Sequence, residues 1–163
     1  GVHPQAHISR QQAERACQSA GKRLCKREEW LTACKGRVPT HRPYGNKHRP
    51  GYCNDAGVSP LGILHGRALG GLDWRAMNDR RLNQIPGTLA RTGSYARCTN
   101  EYGVMDMVGN LHEWTAEGSG TFRGGYYLDT QLLGQGCDYA ADGHDRHYRD
   151  YSTGFRCCSD PGG

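Results

Sequence analysis

The chain has 163 residues, of which 24 are Gly and 8 are Cys, only 36% are hydrophobic, the net charge is +5 and the mean hydropathy is −0.81. Gly stands at roughly twice its average share, and so lean a core is expected to need covalent or metal cross-links, which excludes a helical bundle or a coiled coil. No run approaches the roughly 18 apolar residues of a membrane span, and no charged-then-apolar signal segment opens the chain.

The start at Gly1-Val2-His3-Pro4, without an initiator Met, is expected of a mature product or an excised fragment. Ser9 with Gln12 three residues on makes a capping box, and Ala13, Ala16, Cys17 and Ala20 then fall at helical spacing before Gly21. A second helix is expected over 27–35, where Trp30, Ala33 and Cys34 share a face, Glu28 and Glu29 suit the positive end of the dipole, and Gly36 supplies the stop.

Gly and Pro density over 37–72 predicts irregular chain, and 74–82 predicts a helical turn or two. Short strands follow at 89–95, 111–115, 121–128 and 153–158. Helices early and strands late make an α+β domain, and the absence of repeats or composition breaks makes 1–163 one domain.

The basic clusters Lys22/Arg23/Lys26/Arg27 and Arg80/Arg81 adjoin Glu28, Glu29 and Asp79 and carry no interleaved aromatics. A solvated face is expected there, with no nucleic-acid partner. Eight cysteines without a Cys-x-x-Cys spacing favour four disulfides in an oxidising compartment over a zinc site or free core thiols. Eight cysteines allow 105 pairings. Cys157 and Cys158 are adjacent on a strand, so they point to opposite faces and are expected to serve different partners.

Several stretches in order carry a resemblance: 8–17 (Ile-Ser-Arg-Gln-Gln-Ala-Glu-Arg-Ala-Cys), Gly21-Lys22-Arg23-Leu24, Glu28-Glu29-Trp30, Ala33-Cys34-Lys35-Gly36, Pro43-Tyr44-Gly45-Asn46, 102–114, Phe122-Arg123-Gly124-Gly125 and Gly154-Phe155-Arg156-Cys157. Together they resemble the formylglycine-generating enzyme (sulfatase-modifying factor) family across nearly the whole chain, with weak correspondence over 57–91 and 130–149. The resemblance implies an elaborated C-type-lectin-like fold with two short helices, much irregular loop and a small antiparallel sheet. It also implies that the upstream first strand and helix of the family domain are absent here, so that the fold is a compact version or is completed by another segment.

The resemblance implies the pairs Cys17–Cys157 and Cys34–Cys137. Cys25–Cys158 and Cys53–Cys98 remain, with exchange of the partners of Cys157 and Cys158 as the open alternative. It implies a structural calcium on the side chains of Asp106 and Glu113 and the carbonyls of Gly109 and Leu111, where a glycine turn aims hard oxygen donors at one cation. A turn-capping Asp and a buried hydrogen-bonded Glu, with no ion, is the plainer alternative. A second calcium would begin at Asn54 and the Asp55 carbonyl, with Asp79 or Asn83 contributing.

The family's oxidase binds copper through two cysteines after Arg-Gly-Gly. Here Asp129 stands at the first position and Gly134 near the second, while Tyr126 replaces the serine after Gly-Gly. The thiolate pair that selects Cu(I) is missing, so oxidase activity is not expected. His112, His144 and His147 suggest a transition-metal site for an oxidoreductase or hydrolase if a loop gathers them, against a plainer reading in which His112 fills an aromatic position and the others face solvent.

The leading expectation is a secreted or periplasmic non-catalytic module, fixed by disulfides and calcium, that displays 126–151 as a recognition surface. Tyr126, Tyr127, Asp129, Tyr139, Arg146, Tyr148, Arg149 and Tyr151 would meet a protein or glycan ligand, or another segment of the chain's own precursor. The competing expectations are the histidine-metal enzyme and a fragment of a larger enzyme.

Overall fold

The computed structural model describes residues 1–66 and 73–160, so the part of the expected irregular stretch at 67–72 and the end of the expected domain at 161–163 lie outside the described residues. Helix α1, Arg10–Ser19, begins with the capping box: Ser9 Oγ accepts the Gln12 N–H and the Gln12 side chain accepts the Ser9 N–H. Its buried residues, Ala13 and Cys17, face the core. Strand β1, Arg23–Leu24, leads into α2, Arg27–Lys35, which buries Trp30 and Cys34.

The glycine-rich middle holds a helix that pattern did not predict, α3 (Pro60–His65), with Ser59 as cap and Pro at the first helical position. Helix α4, Trp74–Met77, and a 3₁₀ turn, Arg80–Gln84, supply the helical turns expected after residue 74. No strand forms at 89–95. Those backbone groups are taken by turns and by the Asn110 side chain, whose oxygen accepts the Ala90 N–H and whose nitrogen donates to the Ala90 carbonyl.

The later strands are β2 (His112–Trp114), β3 (Phe122–Arg123), β4 (Ala140–Ala141), β5 (Thr153–Phe155) and β6 (Cys157–Cys158). Four form a sheet in the order β4-β3-β2-β5, and β6 pairs with β1 as a separate two-stranded ribbon. The sheet is mixed, not antiparallel throughout: β2 and β5 run parallel, with His112 beside Thr153 and Trp114 beside Phe155. A parallel pair needs a long crossover, and 116–152 provides it.

All eight cysteines are bonded, as Cys17–Cys157, Cys25–Cys158, Cys34–Cys137 and Cys53–Cys98. Cys17–Cys157 and Cys34–Cys137 are the pairs that the resemblance implies, the other two join the cysteines left over without the exchange that stood open, and adjacent Cys157 and Cys158 serve different partners. Such bonds form and persist in an oxidising compartment. Among the described residues no helix is long and apolar enough to cross a membrane.

Candidate functional site

Strand β2 places successive side chains on opposite faces of the sheet, and the two faces have different chemistry. Glu113 points toward α2. Its Oε2 accepts the Trp30 indole N–H at 2.8 Å and Arg156 Nε–H at 3.0 Å, and its Oε1 accepts from Arg156 Nη2 at 2.8 Å. Arg156 also donates to the Met105 carbonyl. A carboxylate with 7% exposure thus has a cationic fork and a neutral donor, which offset its desolvation.

The turn before β2 is shaped by residues that accept left-handed backbone. Asp106 and Asn110 have φ of 59° and 63°. Gly109 has φ of 76°, and a Cβ on it would lie 2.1 Å from the Asn54 carbonyl oxygen, so this position admits glycine alone. Asp106, Asn110, Leu111, Glu113 and Arg156 line one cavity of about 170 Å³. Burial raises the Asp106 carboxyl above its ordinary range, although Oδ2 accepts the Gly93 N–H.

Hard oxygen donors around a small cavity, with a carboxylate whose burial disfavours its charged form, suit a calcium ion. Arg156 already neutralises the Glu113 side of the cavity, so an ion there would be held mainly from the Asp106 side.

The second expected set is not gathered in this way. The Asn54 side-chain nitrogen donates to the Thr88 carbonyl and to Asn110 Oδ1, and the Asn54 carbonyl accepts the Asn110 N–H. Asp55 Oδ2 pairs with His48 Nε2 at 2.8 Å, while Oδ1 is buried without a partner. Asp79 pairs with Arg81 and His65, and Asn83 bonds Tyr127 and Tyr151. Each side chain has a structural partner of its own.

His112 is buried, with its ring centroid 4.5 Å from that of Phe122, 4.9 Å from Tyr126 and 5.3 Å from Tyr139. Burial, with a smaller push from His144, lowers its pKa to about 3, and its Nδ1 has no partner. It therefore fills an aromatic box as a neutral ring. His144 meets the same Phe122 at 4.3 Å with its ring tilted, but His147 is exposed and engages Asp145 through its backbone N–H. The expected three-histidine metal site is corrected by this geometry: among the described residues no group of three or more His, Cys, Asp or Glu side chains is placed to share a metal ion.

The expected recognition surface also changes. Tyr127, Tyr139 and Tyr151 are buried, Tyr126 and Tyr148 are half-buried, and of the eight side chains proposed only Arg146 and Arg149 are well exposed. The apolar groups that this segment does offer to solvent are Leu128, Leu132 and Leu133, the second with 81% exposure. Asp129 lies in a tight 126–129 turn, where Oδ1 accepts the N–H groups of Gln131 and Leu132 and Oδ2 accepts the Tyr139 hydroxyl. Gly134 has φ of 115°, and a Cβ there would meet the Asp138 carbonyl oxygen at 2.5 Å.

The Sulfatase-modifying factor enzyme 1-like domain matches residues 1–161. The inactive C-alpha-formylglycine-generating enzyme 2 of Bos taurus is 29% identical over 181 residues, covering 98% of this chain and 51% of that protein. The formylglycine-generating enzyme of Mus musculus is 30% identical over 116 residues, covering 71% of this chain and 27% of that protein. The chain thus spans about half the length of the first of these relatives, and less of the second. Two solved structures share the fold: CarF, with a TM-score of 0.61 at 16% identity over 96% of this chain and 67% of that one, and PvdO from Pseudomonas aeruginosa, with 0.62 at 14% identity over 94% and 60%. With the domain match running from the first residue to near the last, the chain belongs to the sulfatase-modifying factor enzyme 1-like family.

Proposed function

We propose that the chain is a non-catalytic binding module of this family, secreted or periplasmic, whose disulfide frame displays the 126–151 segment. The observation that carries the reading is the fate of the two copper-ligand positions. Asp129 spends its carboxylate on holding its own loop, and Gly134 occupies a conformation that leaves no room for a side chain. All eight cysteines are consumed in disulfides, so no thiolate is free to take Cu(I). The likeness to an inactive formylglycine-generating enzyme supports the same reading.

On this reading the binding groups of the segment are Leu128, Leu132 and Leu133 with Arg146 and Arg149, and the tyrosines behind them are support. A protein partner suits that mixture best. Titration of the purified protein with Cu(I), together with an assay for conversion of a peptide cysteine to formylglycine, tests the proposal: neither stoichiometric copper binding nor turnover is expected, and finding both would overturn it.

Calcium is proposed as the structural ion of the Asp106 cavity. It would be held by the Asp106 and Glu113 side chains and the carbonyls of Gly109 and Leu111, and would offset the cost of burying the Asp106 carboxylate. Chelation is expected to lower the melting temperature of the natural protein and to leave that of Asp106→Ala unchanged. Equal responses in the two would assign the cavity to Arg156 alone.

One observation favours a second reading, in which the chain is part of a larger enzyme: it spans half the length of the inactive relative or less of the active one. The intact mass of the protein isolated from its source decides between them.

A further inference from the structure

The loop before Cys53 carries a charge arrangement that none of these roles uses. Arg49-Pro50-Gly51-Tyr52 is a tight turn, in which the Tyr52 N–H donates to the Arg49 carbonyl at 3.1 Å and Gly51 has φ of 77°. Proline at the second position and a left-handed glycine at the third make it a type II turn. The turn folds Arg49 back, so that its guanidinium carbon lies 5.4 Å from the Tyr52 ring centroid and Nη1 donates to the Tyr52 hydroxyl.

A second guanidinium reaches the same ring by a covalent route. Cys53 follows Tyr52, Cys98 follows Arg97, and Cys53 is bonded to Cys98. The disulfide thereby sets Arg97 beside Tyr52, with its guanidinium carbon 4.8 Å from the ring centroid. Cation–π attraction holds each arginine in place, but the two positive charges repel each other.

Neither Arg49 nor Arg97 has a carboxylate partner among the described residues. The nearby Asp55 is no substitute, since its side chain is fully buried and engaged by His48. The Tyr52 phenol is itself drawn below its ordinary pKa by its hydrogen bonds to the two arginines.

Tyr44 extends the surface. Its ring meets that of Tyr52 edge-on at 4.9 Å, and it also lines an open groove of about 420 Å³ with Arg37, Val38, Thr40, Pro43 and Glu101. Apolar ring and proline faces next to Thr40 and the Glu101 carboxylate suit a hydroxyl-rich body. Lys35 also lines the groove, and the Glu101 carboxylate can accept hydroxyl donors.

We propose that Arg49 and Arg97, mounted on Tyr52, form an oxyanion clamp for the sulfate or carboxylate group of an anionic saccharide whose ring lies against Tyr44 and the adjoining groove. Two guanidiniums that both reach the Tyr52 ring can each give an oxyanion charge-assisted hydrogen bonds. The turn and the disulfide fix both arginines before the ligand arrives, which lowers the ordering cost of binding. The site shares no residue with 126–151 and stands whether or not that segment binds a partner.

The test is a titration followed through the arginine Nε–H resonances, first with inorganic sulfate and then with a sulfated disaccharide, a uronic-acid disaccharide, a neutral disaccharide and an acidic hexapeptide. Sulfate is expected to shift the Arg49 and Arg97 signals, and an anionic disaccharide to bind more tightly than sulfate or the neutral sugar. Arg49→Gln and Arg97→Gln should each weaken binding about tenfold while leaving the melting temperature unchanged. Leu132→Ser should have no effect on this titration, which separates failure of the clamp from failure of the 126–151 reading. Absence of shifts at both arginines, or binding indifferent to both substitutions, would overturn the clamp; tighter binding of the hexapeptide than of either anionic sugar would overturn the saccharide assignment.

Discussion

The interior around Trp30 and the interior around Tyr127 answer the same shortage of aliphatic side chains by different means. Around Trp30 the packing partners are sulfur: Cys25, Cys34, Cys53, Cys98 and Cys137 cluster with Met107 and Val108. Around Tyr127 they are Met77, Leu82 and Tyr151, with Tyr126 and Tyr148 against them and no cysteine. There the phenols bring their own polar ends, and Asn83 accepts the Tyr127 hydroxyl while donating to the main-chain carbonyl of Tyr151. One region is fixed covalently and depends on redox conditions. The other, with the neutral His112 box next to it, is fixed by burial and depends on pH.

Reduction should separate the two regions most forcefully. Each disulfide closes a loop of 45 to 140 residues, and losing one costs about 2 to 4 kcal/mol. Full reduction is therefore expected to abolish cooperative thermal unfolding, and Cys34→Ser combined with Cys137→Ser to lower the urea midpoint strongly. A reduced protein that melts like the oxidised one would remove the distinction.

The next largest effect is expected from Glu113→Ala, which strands Arg156 and leaves the Trp30 N–H without its acceptor. Breaking such a pair from one side costs about 3 kcal/mol, and denaturant unfolding would measure it. Glu113→Gln, which keeps an acceptor for Trp30, should cost less.

The pH effect is smaller and belongs to the His112 box, whose Phe122 and Tyr139 pack with Trp114 and Cys17 and whose Tyr126 leans on the tyrosine side. Because burial holds the His112 pKa near 3, below its ordinary 6.5, the unfolded chain takes up the proton first on acidification. The stabilisation is complete above about pH 6.5 and is lost progressively as pH falls toward 3. His144 and His7 are lowered in the same direction, chiefly by burial. The carboxylates held low by arginine, such as Glu29, act in a more acidic range. Between pH 6.5 and 4.5, His112 alone should remove about 2 kcal/mol, and His112→Phe should flatten that part of the stability profile. An unchanged profile in the variant would show that the His112 proton is not what couples this region to pH.

The legible and illegible parts of the sequence divide along similar lines. Helix α1 was readable because Ser9 and Gln12 sign its start within four residues, and the cysteine partners followed once the family motifs were in place. Strands β1 and β4 were not, because two residues carry no alternation. The parallel pairing of β2 with β5 was hidden because it is decided by a distant segment. The tyrosines of 126–151 misled for a physical reason: a phenol looks the same in sequence whether its ring is wet or dry. Their depth is set by distant partners such as Asn83 in the 3₁₀ turn and Asp129 and Asp150 in loops. Arg49 and Arg97 became neighbours only through the Cys53–Cys98 bond.

The order of the cysteines along the chain bears on how the protein is made. Cys17, Cys25, Cys34 and Cys53 all precede Cys98, Cys137, Cys157 and Cys158, and every bond joins the first group to the second. During vectorial synthesis, at roughly 5 to 20 residues per second, four thiols emerge before any of their proper partners exists. Every disulfide that can form in that interval is a wrong one. Maturation must either keep those thiols reduced until residue 158 is available or undo early mistakes by thiol–disulfide exchange, so the yield of native protein depends on an isomerase-rich environment more than on the stability of the finished fold.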